Sequence, residues 1–274
     1  MFETLVNLNT VTALGKLRYG FTWFLVDLAV STVIFIALEQ VFSLKKSQPV
    51  FRCEWLTDFN YFALNHLVLG FLLVPAAYIA QALLGLTGQL VFRLWVSQLP
   101  FPIALVLIVL LADVIQYWVH RLYHEVPLLW RFHAVHHSAK TLDWLSGSRQ
   151  HLLELFLTRT CLLAPFVVLG FSPMVVNTFI VIGGLQAVFN HSNIDARLGW
   201  LSKILVTPNF HHWHHSIDPE AMGRNFAAHF SFLDRIFGTD LTAEGRWPTE
   251  YGLMGQGFPT EFGKQLVFPF TQKD

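Results

Sequence analysis

The sequence predicts an all-α fold: a polytopic membrane bundle of about four to five hydrophobic helices with a histidine-rich cap on the cytoplasmic side. Three observations support this prediction. Hydrophobic residues make up 54% of the 274 residues and charged residues only 13%, whereas a typical soluble domain is ~25% charged. The apolar residues form runs long enough to cross a bilayer. The histidines, in contrast, cluster in the more polar segments.

Four apolar runs predict the membrane helices in chain order. The runs cover residues 21–44, 61–86, 92–118 and 152–189. At about 1.5 Å per residue, each is long enough to cross a hydrocarbon core of ~30 Å. Pro100 and Pro102 predict a kink or a break in the third run. The fourth run has room for two helices, and its Gly-Phe-Ser-Pro sequence at 170–173 predicts the turn between them.

The basic residues predict the orientation of these helices. Lysine and arginine are concentrated after the first and third runs, at residues 45–52 and 121–149. The positive-inside rule makes this side cytoplasmic, although Lys16 and Arg18 argue the other way. Counting the spans then puts residues 191–274 in the cytoplasm. The amino terminus lacks the basic start of a cleavable signal peptide.

The composition excludes several other classes of protein. The 18 basic residues balance the 18 acidic ones, so the chain has no electrostatic footprint for a nucleic acid. The two cysteines, Cys53 and Cys161, are too few for a disulfide scaffold or an iron–sulfur cluster. We interpret residues 1–274 as a single integral-membrane domain, in which residues 1–104 supply the amino-terminal membrane helices.

The distribution of the histidines points to metal binding. Of the 13 histidines, five lie within residues 120–137 and four within residues 211–215. A lone buried histidine is usually a hydrogen-bonded structural residue, but adjacent imidazoles compete for the same partners and repel one another when protonated. Imidazole is also the commonest protein ligand of zinc, copper, iron and nickel.

The spacing of these histidines predicts more than one metal ion. His120 and His124 share one face of a continuing helix, and Asp113 and Tyr117 lie on the same face two turns and one turn earlier, respectively. The clusters follow the patterns H-x3-H, H-x2-H-H and H-x2-H-H, and neighbouring histidines of a cluster point about 100° apart on a helix. Eight imidazoles are too many for one metal and suit two. The eight are His120, His124, His133, His136, His137, His211, His214 and His215.

The three histidine clusters, which we call the first, second and third box, resemble the histidine boxes of the membrane di-iron fatty acid hydroxylase/sterol desaturase superfamily. The resemblance is carried by the segments 113–124, 129–138 and 206–216 and by a closing segment at 225–239. It covers roughly residues 105–240. It implies a ninth ligand, His191, in the sequence Asn-His-Ser-Asn, and it implies that His212 is not a ligand. Ala227 and Phe232 depart from the residues common in the family, but neither lies in a box.

Further residues are candidates for contacts around the ligands. They are Asp113, Tyr117, His151, His212, Asn225, His229 and Asp234. For His151 a role near the site and a role at an interface stay equally open. For Asp113 the alternative is a carboxylate that faces water at the headgroup level.

The resemblance also implies the chemistry. Two iron ions would use O2 to hydroxylate a C–H bond of a lipid such as a fatty acyl chain or a sterol. Desaturation and alkylglycerol ether cleavage are alternatives on the same site, and a tetrahydropterin cofactor stays open. No electron-transfer module is fused to the boxes, so the electrons would come from a separate protein. No catalytic residue beyond the metal ligands is expected.

Three other functions fit the histidines less well. A membrane metal transporter would hold its ligands near the bilayer midplane, whereas these lie at helix ends and in polar segments. A b-type haem protein needs histidine pairs within facing membrane spans, which contain almost none. A zinc hydrolase of the H-E-x-x-H type fails because His124-Glu125 is followed by Val-Pro-Leu.

Overall fold

The computed structural model describes residues 13–87, 91–241, 243, 245–255 and 257–271. Within these residues the chain is mostly helical, and it forms isolated β-bridges but no β-strand. The helices are α1 (Ala13–Ser31), which continues through a π-helical segment (Thr32–Ile36) into α2 (Ala37–Val41), then α3 (Trp55–Thr87), α4 (Val91–Ser97), α5 (Phe101–Glu125), α6 (Pro127–His137), α7 (Leu152–Leu169), α8 (Pro173–His191), α9 (Pro208–His214), α10 (Phe232–Phe237) and α11 (Phe262–Thr271). Short 3-10 turns lie at Ser146–Ser148, Gly199–Lys203 and Pro219–Ala221.

The described residues confirm the prediction of four to five membrane-capable helices. Four helical stretches are long and apolar enough to cross a bilayer, at Leu17–Val41, Phe101–Glu125, Leu152–Leu169 and Pro173–His191. A fifth span results if the two parts of α3, which meet at 51°, are counted as one. The helices carry large exposed apolar side chains such as Val33 and Val106, as expected for surfaces that face lipid.

Proline and glycine set the ends of these helices, as the sequence predicted. Pro100 breaks the third apolar run, because α4 ends before it and α5 begins directly after it. Gly170 ends α7 with a φ of 84°, a conformation that glycine adopts without steric cost. Ser172 then caps α8 by accepting a hydrogen bond from the Val175 N–H. The run 152–189 is therefore a helical hairpin.

The apolar core lies between α5, α7 and α8. Ala104, Ile108 and Ala112 follow one another at a spacing of four along α5 and are buried against α7 and α8. The two alanines of this row let the neighbouring helices approach closely, since packing rather than solvent exclusion drives the association of membrane helices. From α7 and α8, Phe166 and Phe179 close the core with their rings in edge-to-face contact.

The same side of the bundle collects the chain segments between the helices. Ser43, just after α2, pairs with Ile194, just after α8. The Arg52 side chain, just before α3, contacts Asp143 at 2.7 Å in the segment after α6. This clustering agrees with the predicted parity of the spans, and it builds a cap of buried polar residues over one end of the bundle.

Both carboxylates inside the first span are paired within the protein. Asp27 contacts His66 of α3 at 3.0 Å and accepts a hydrogen bond from Ser31. Glu39 accepts from the backbone N–H groups of Trp144 and Asn193, at 2.7 and 2.9 Å. Unpaired carboxylates are costly at membrane depth, so these contacts tie the first helix to α3 and to the cap.

Substitution of Gly20 by alanine is expected to separate α1 from α3. A Cβ at Gly20 would meet the backbone oxygen of His66 and lie 2.9 Å from that of Leu67. Since these atoms belong to helix backbone, the helices must move apart, at a cost of ~1–3 kcal/mol for overpacking. Thermal unfolding in detergent measures the effect. Gly85→Ala is the control, because a Cβ there meets nothing within 4 Å; equal melting temperatures for both variants would contradict the prediction.

Candidate metal centre

Nine histidines meet where the helices end at the cap. The last turns of α5 carry His120 and His124, and α6 ends in the second box. His191 is the last residue of α8, and the short helix α9 carries the third box. Thr207 begins α9 by accepting a hydrogen bond from the Phe210 N–H, with Pro208 in its first turn. The nine are the same residues that the sequence and the resemblance single out as ligands.

The nine imidazoles form two separate groups. In each group, one ring nitrogen of every member lies within 4.8 Å of those of the others. The first group is His120, His124, His133, His137 and His214, and the second is His136, His191, His211 and His215. The groups adjoin each other, since the rings of His137 and His215 stack with centroids 4.4 Å apart.

Helical geometry explains how adjacent histidines reach different groups. His136 and His137 diverge by about 100° around α6, so one joins the second group and the other the first. His214 and His215, at the end of α9, divide in the same way. His133 and His137 are four residues apart and so lie on one face of α6, which places both in the first group. His211 and His215 have the same spacing and both belong to the second group.

The first group fits a cation between its rings. His120 donates from Nδ1 to the backbone oxygen of Phe226 at 2.8 Å, and His133 has Nδ1 2.9 Å from the Glu154 carboxylate. Both Nε2 atoms therefore carry lone pairs, yet they lie only 3.1 Å apart. Two lone pairs at this distance repel unless a cation lies between them. Nitrogens that share a metal at ~2.1 Å are about 3.0–3.4 Å apart.

The second group fits a cation for the same reason. His136 and His191 donate from Nδ1 to the backbone oxygens of Arg149 and Ala187, at 3.1 and 2.8 Å. Their Nε2 atoms face each other at 3.2 Å. His211 approaches His191 with its Nε2 at 3.0 Å. Three ring nitrogens thus converge on one point with no proton donor among the first two.

Other ring nitrogens in the site have no hydrogen-bond partner although they are buried. They are Nε2 of His124, His137 and His214 and Nδ1 of His211 and His215. Burial, together with the neighbouring imidazoles, holds the pKa of His136 and His137 well below the usual range. These rings are therefore neutral at pH 7, which is the form that binds a metal. The donor set fits two metal ions.

A segment after the third box holds two of these rings by its carbonyl oxygens. We call residues 224–230 the strap. His214 donates from Nδ1 to the Arg224 oxygen at 2.8 Å, and His120 donates to the Phe226 oxygen. Each contact fixes the tautomer and the orientation of its ring, as is usual for metal-binding histidines.

Asp113 holds one end of the strap. Its carboxylate accepts three hydrogen bonds from the backbone N–H groups of residues 228–230, at 2.7–3.0 Å. Asp113 is fully buried, so it does not face water. It lies on the same helix face as His120, but it orients the site through the strap and does not bond to an imidazole.

Asp234 holds the other part of the strap. Its two oxygens accept from the N–H groups of residues 226–227 at 2.7 and 2.8 Å, and Thr239 donates to it. Tyr117 contacts the same Thr239 hydroxyl at 2.9 Å. Asn225 has a φ of 60°, and its side chain bridges the backbone oxygen of Phe210 in the third box and the backbone N–H of Leu241. All three candidates therefore shape the strap.

Sequence reasoning missed Glu154, whose carboxylate contacts one of the candidate ligands, His133, directly. It lies at the start of α7, is 2% exposed, and orients His133. Only its place three residues after His151, just inside an apolar run, signals it in the sequence, because a charge there needs a partner.

Replacement of Glu154 by glutamine is expected to weaken metal binding. Glutamine keeps the shape but loses the charge that strengthens the hydrogen bond to His133. Loss of a residue that hydrogen-bonds to a metal ligand typically lowers metal affinity or activity ~10–100-fold. Competition with a chromogenic chelator measures the affinity. Glu125→Gln, which removes only a surface ion pair with Arg121, is the control, and equal affinities of the two variants would contradict the role given to Glu154.

The three remaining histidine candidates lie outside both groups. His151 caps α7 by accepting from the Leu153 N–H and contacts the Leu266 oxygen of α11 at 3.1 Å, so it lies at an interface. His212 contacts the Tyr251 hydroxyl and the carbonyl oxygens of His191 and Ser192 at the end of α8. Burial lowers the pKa of His212 to about 3. His229 lies on the strap and contacts Gln186.

Two cavities reach the histidines. One, of about 150 Å³, lies between α5, α7, α8 and the strap and touches His120 of the first group and His191 of the second. Its deeper wall is apolar, with Leu162 and Phe179. The other, of about 400 Å³, is lined by His124 together with Trp130 and Met254. Of these two cavities, one touches both groups and the other touches only the first group.

Comparison with known proteins agrees with this site. The family model described as "Fatty acid hydroxylase" matches residues 105–239. Ornithine lipid hydroxylase OlsE of Rhizobium tropici is 33% identical over 182 residues, and human alkylglycerol monooxygenase is 32% identical over 123 residues. A putative methylsterol monooxygenase of Dictyostelium discoideum is 29% identical over 202 residues.

These alignments cover different shares of the proteins. They include 65%, 45% and 71% of this chain, respectively, and 54%, 27% and 71% of the relatives. The chain thus spans about half of the ornithine lipid hydroxylase and about a quarter of the alkylglycerol monooxygenase. None of the solved structures matches the chain.

Proposed function

Because residues 105–239 make this chain a member of the fatty acid hydroxylase family, we propose that it is an integral-membrane, O2-dependent di-iron oxygenase that hydroxylates a C–H bond of a lipid. The observation that carries the proposal is the pair of buried histidine groups that adjoin each other and open onto one cavity. The ligands are the five and four histidines of these groups.

The family supports iron as the metal. Imidazole donors alone suit zinc, copper, nickel and iron alike, so geometry does not select among them. The relatives are named hydroxylases and monooxygenases, and these reactions need a metal that can change its oxidation state. Two bound irons would supply the activation of O2.

The residues of the chain position the substrate and the metals. The wall formed by Leu162, Phe179 and Ile180 suits an apolar chain that enters from the bilayer. Glu154 and the strap keep the ligand rings in the tautomers that bind metal. Seven of the nine histidines are buried, and limited access of bulk water protects such a reaction from side products.

Hydroxylation is the proposed outcome because it needs a single hydrogen abstraction. Desaturation and cleavage of an alkylglycerol ether are the alternatives on the same ligand set, and the similarity to alkylglycerol monooxygenase favours the second of these. A tetrahydropterin requirement belongs to that alternative. The names of the relatives point to membrane lipids as the substrate class.

The electrons are proposed to come from a separate protein. Insertion of one oxygen atom into a C–H bond reduces the other to water, which consumes two electrons. The cysteines Cys53 and Cys161 are exposed and are not joined by a disulfide, and two thiols are too few to hold an iron–sulfur cluster. By the positive-inside rule we place the cap and its histidines on the cytoplasmic side of the membrane.

Metal analysis of the full-length chain tests the proposal. We expect about two irons per chain in protein purified in detergent from cells grown on iron-57, with the Mössbauer spectrum of a coupled pair. Lipid extracts of cells that express the chain should contain hydroxylated species only when O2 is supplied. Stoichiometric haem, or a single metal that histidine substitutions leave unchanged, would refute the di-iron site.

A further inference from the structure

The cavity that touches both histidine groups also contains polar atoms without partners. His229 is 4% exposed, Asn190 3% and Glu154 2%, and all three line this cavity. His229 Nε2, Asn190 Oδ1 and Glu154 Oε2 are buried and have no hydrogen-bond partner. A buried polar atom without a hydrogen-bond partner destabilises the protein. A ligand bound in the cavity could supply the missing partners.

Hydrogen bonding fixes His229 Nε2 as an acceptor. The Gln186 side-chain nitrogen donates to the backbone oxygens of Val206 and His229, at 3.4 and 3.3 Å. Its Oε1 is therefore the atom that faces His229 Nδ1 at 3.1 Å. An oxygen at this position accepts, so Nδ1 carries the proton and Nε2 carries the lone pair.

The same reasoning makes Asn190 an acceptor. Its Nδ2 donates to the Ala228 oxygen of the strap at 2.9 Å, which fixes the orientation of the amide. Oδ1 is then an oxygen with no donor. Asn190 directly precedes His191 at the end of α8, whereas His229 lies beside Gly183 about two turns deeper. Asn190 Oδ1 and His229 Nε2 are therefore two acceptors at successive depths of the cavity, with His229 farther from the end of α8.

The charges around the cavity restrict the donor that these atoms can bind. Arg159 is the one Lys or Arg side chain among the residues that line it. Its positive charge offsets the negative charge of the Glu154 carboxylate, so the lining has no net charge that would favour an ammonium group of the ligand. A hydroxyl or an amide N–H supplies a donor without a charge.

We propose that this cavity selects lipids that carry a neutral hydrogen-bond donor, a hydroxyl or an amide N–H, close to the carbon that is hydroxylated, with His229 and Asn190 as its acceptors. The assignment of the cavity to the substrate rests on the proposed function. It implies attack near the polar end of a lipid, since an acyl tail end has no donor to offer.

Binding of two matched probes tests this inference without turnover. The full-length chain in detergent micelles binds tritiated 1-hexadecanol, which is displaced by unlabelled 1-hexadecanol or by 1-methoxyhexadecane. The two compounds differ by one methyl group, and only the alcohol donates a hydrogen bond. We expect the alcohol to displace the label at a concentration at least tenfold lower. Equal displacement would overturn the inference, because water would then satisfy the acceptors as well as the lipid does.

Variants locate the preference in the cavity. His229→Phe and Asn190→Leu should each reduce the ratio of the two displacing concentrations to about one. Thr160→Val is the matched control: it also removes a buried hydroxyl without a partner, but Thr160 does not line the cavity, so the ratio should be unchanged. A preference that survives both cavity substitutions in monodisperse protein would overturn the assignment of the acceptors. If the variants do not fold, the comparison of the probes on the unaltered chain decides.

The outcomes separate this inference from the proposed function. Oxygen-dependent lipid hydroxylation together with equal affinity for the probes would overturn the donor preference alone. A tenfold preference in a chain that contains no iron and hydroxylates nothing would overturn the oxygenase and leave the donor site in place.

Discussion

His136→Ala is expected to remove about one metal ion per chain and to lower lipid hydroxylation by more than ~100-fold. Loss of a residue that only hydrogen-bonds to a metal ligand costs ~10–100-fold, and loss of a ligand itself should cost more. His136 belongs to the group of four histidines, so its removal leaves three ligands. The five histidines of the other group are unchanged and should retain their ion. Elemental analysis of the purified chain gives the metal count, and oxygen-dependent product formation gives the activity.

The control for this substitution is His212→Gln. His212 is as buried as His136, at 1% against 4% exposed, and it lies inside the third box. Its ring contacts the Tyr251 hydroxyl and two carbonyl oxygens and belongs to neither group. A glutamine amide can replace these contacts, so both metals should stay bound. Two metals in His136→Ala, or loss of metal in His212→Gln, would mean that the ligand groups are assigned wrongly.

The fold could be predicted from the sequence because membrane helices carry a strong local signal. The run 152–189 gave both the helices and their turn, since Gly170 ends one helix and Pro173 begins the next. The bend in α3 and the π-helical segment Thr32–Ile36 were not predicted. The bend has a local signal that the sequence analysis did not use, because Pro75 lies inside α3 four residues after the start of its second part, and a proline kinks a helix about one turn before its own position. The π-helical segment has no such signal within the run.

The spacing of the histidines predicted how neighbours divide between two groups, because it follows from helix geometry alone. The contacts around the ligands did not follow from spacing. Glu154 lies 21 residues after His133, with which it pairs. Asp113 binds backbone N–H groups more than 110 residues later in the chain. Such contacts arise when α5, α7 and the strap are packed together, which a pattern within one segment cannot reveal.

Asp58→Asn is expected to destabilise the cap strongly. The Asp58 carboxylate is fully buried and contacts Arg52 and Arg149, each at 2.5 Å. Arg52 keeps a second carboxylate partner in Asp143, but Arg149 keeps only a longer ion pair with Glu54 and a hydrogen bond to the Ser138 hydroxyl. Loss of one partner from a buried ion pair costs ~3–5 kcal/mol, because the remaining charge is left uncompensated. Thermal unfolding in detergent should therefore show a clearly lower melting temperature.

The control is Asp195→Asn, which removes an ion pair with Arg197 that is exposed to solvent. Such pairs contribute little, since water and salt screen them, so the melting temperature should not change. An equal effect of the two substitutions would contradict the role given to Asp58.

The effect of Asp58→Asn should extend to one metal group and not to the other. The backbone oxygen of Arg149 accepts the hydrogen bond that orients His136, whereas the first group is held by Glu154 and the strap. Metal should therefore be lost first from the second group. Adding Arg149→Met to Asp58→Asn removes the uncompensated charge, and apolar replacement of a buried pair is often neutral. We expect the double variant to recover most of the melting temperature and the second metal; recovery of neither would show that Asp58 acts by some route other than the charge of Arg149.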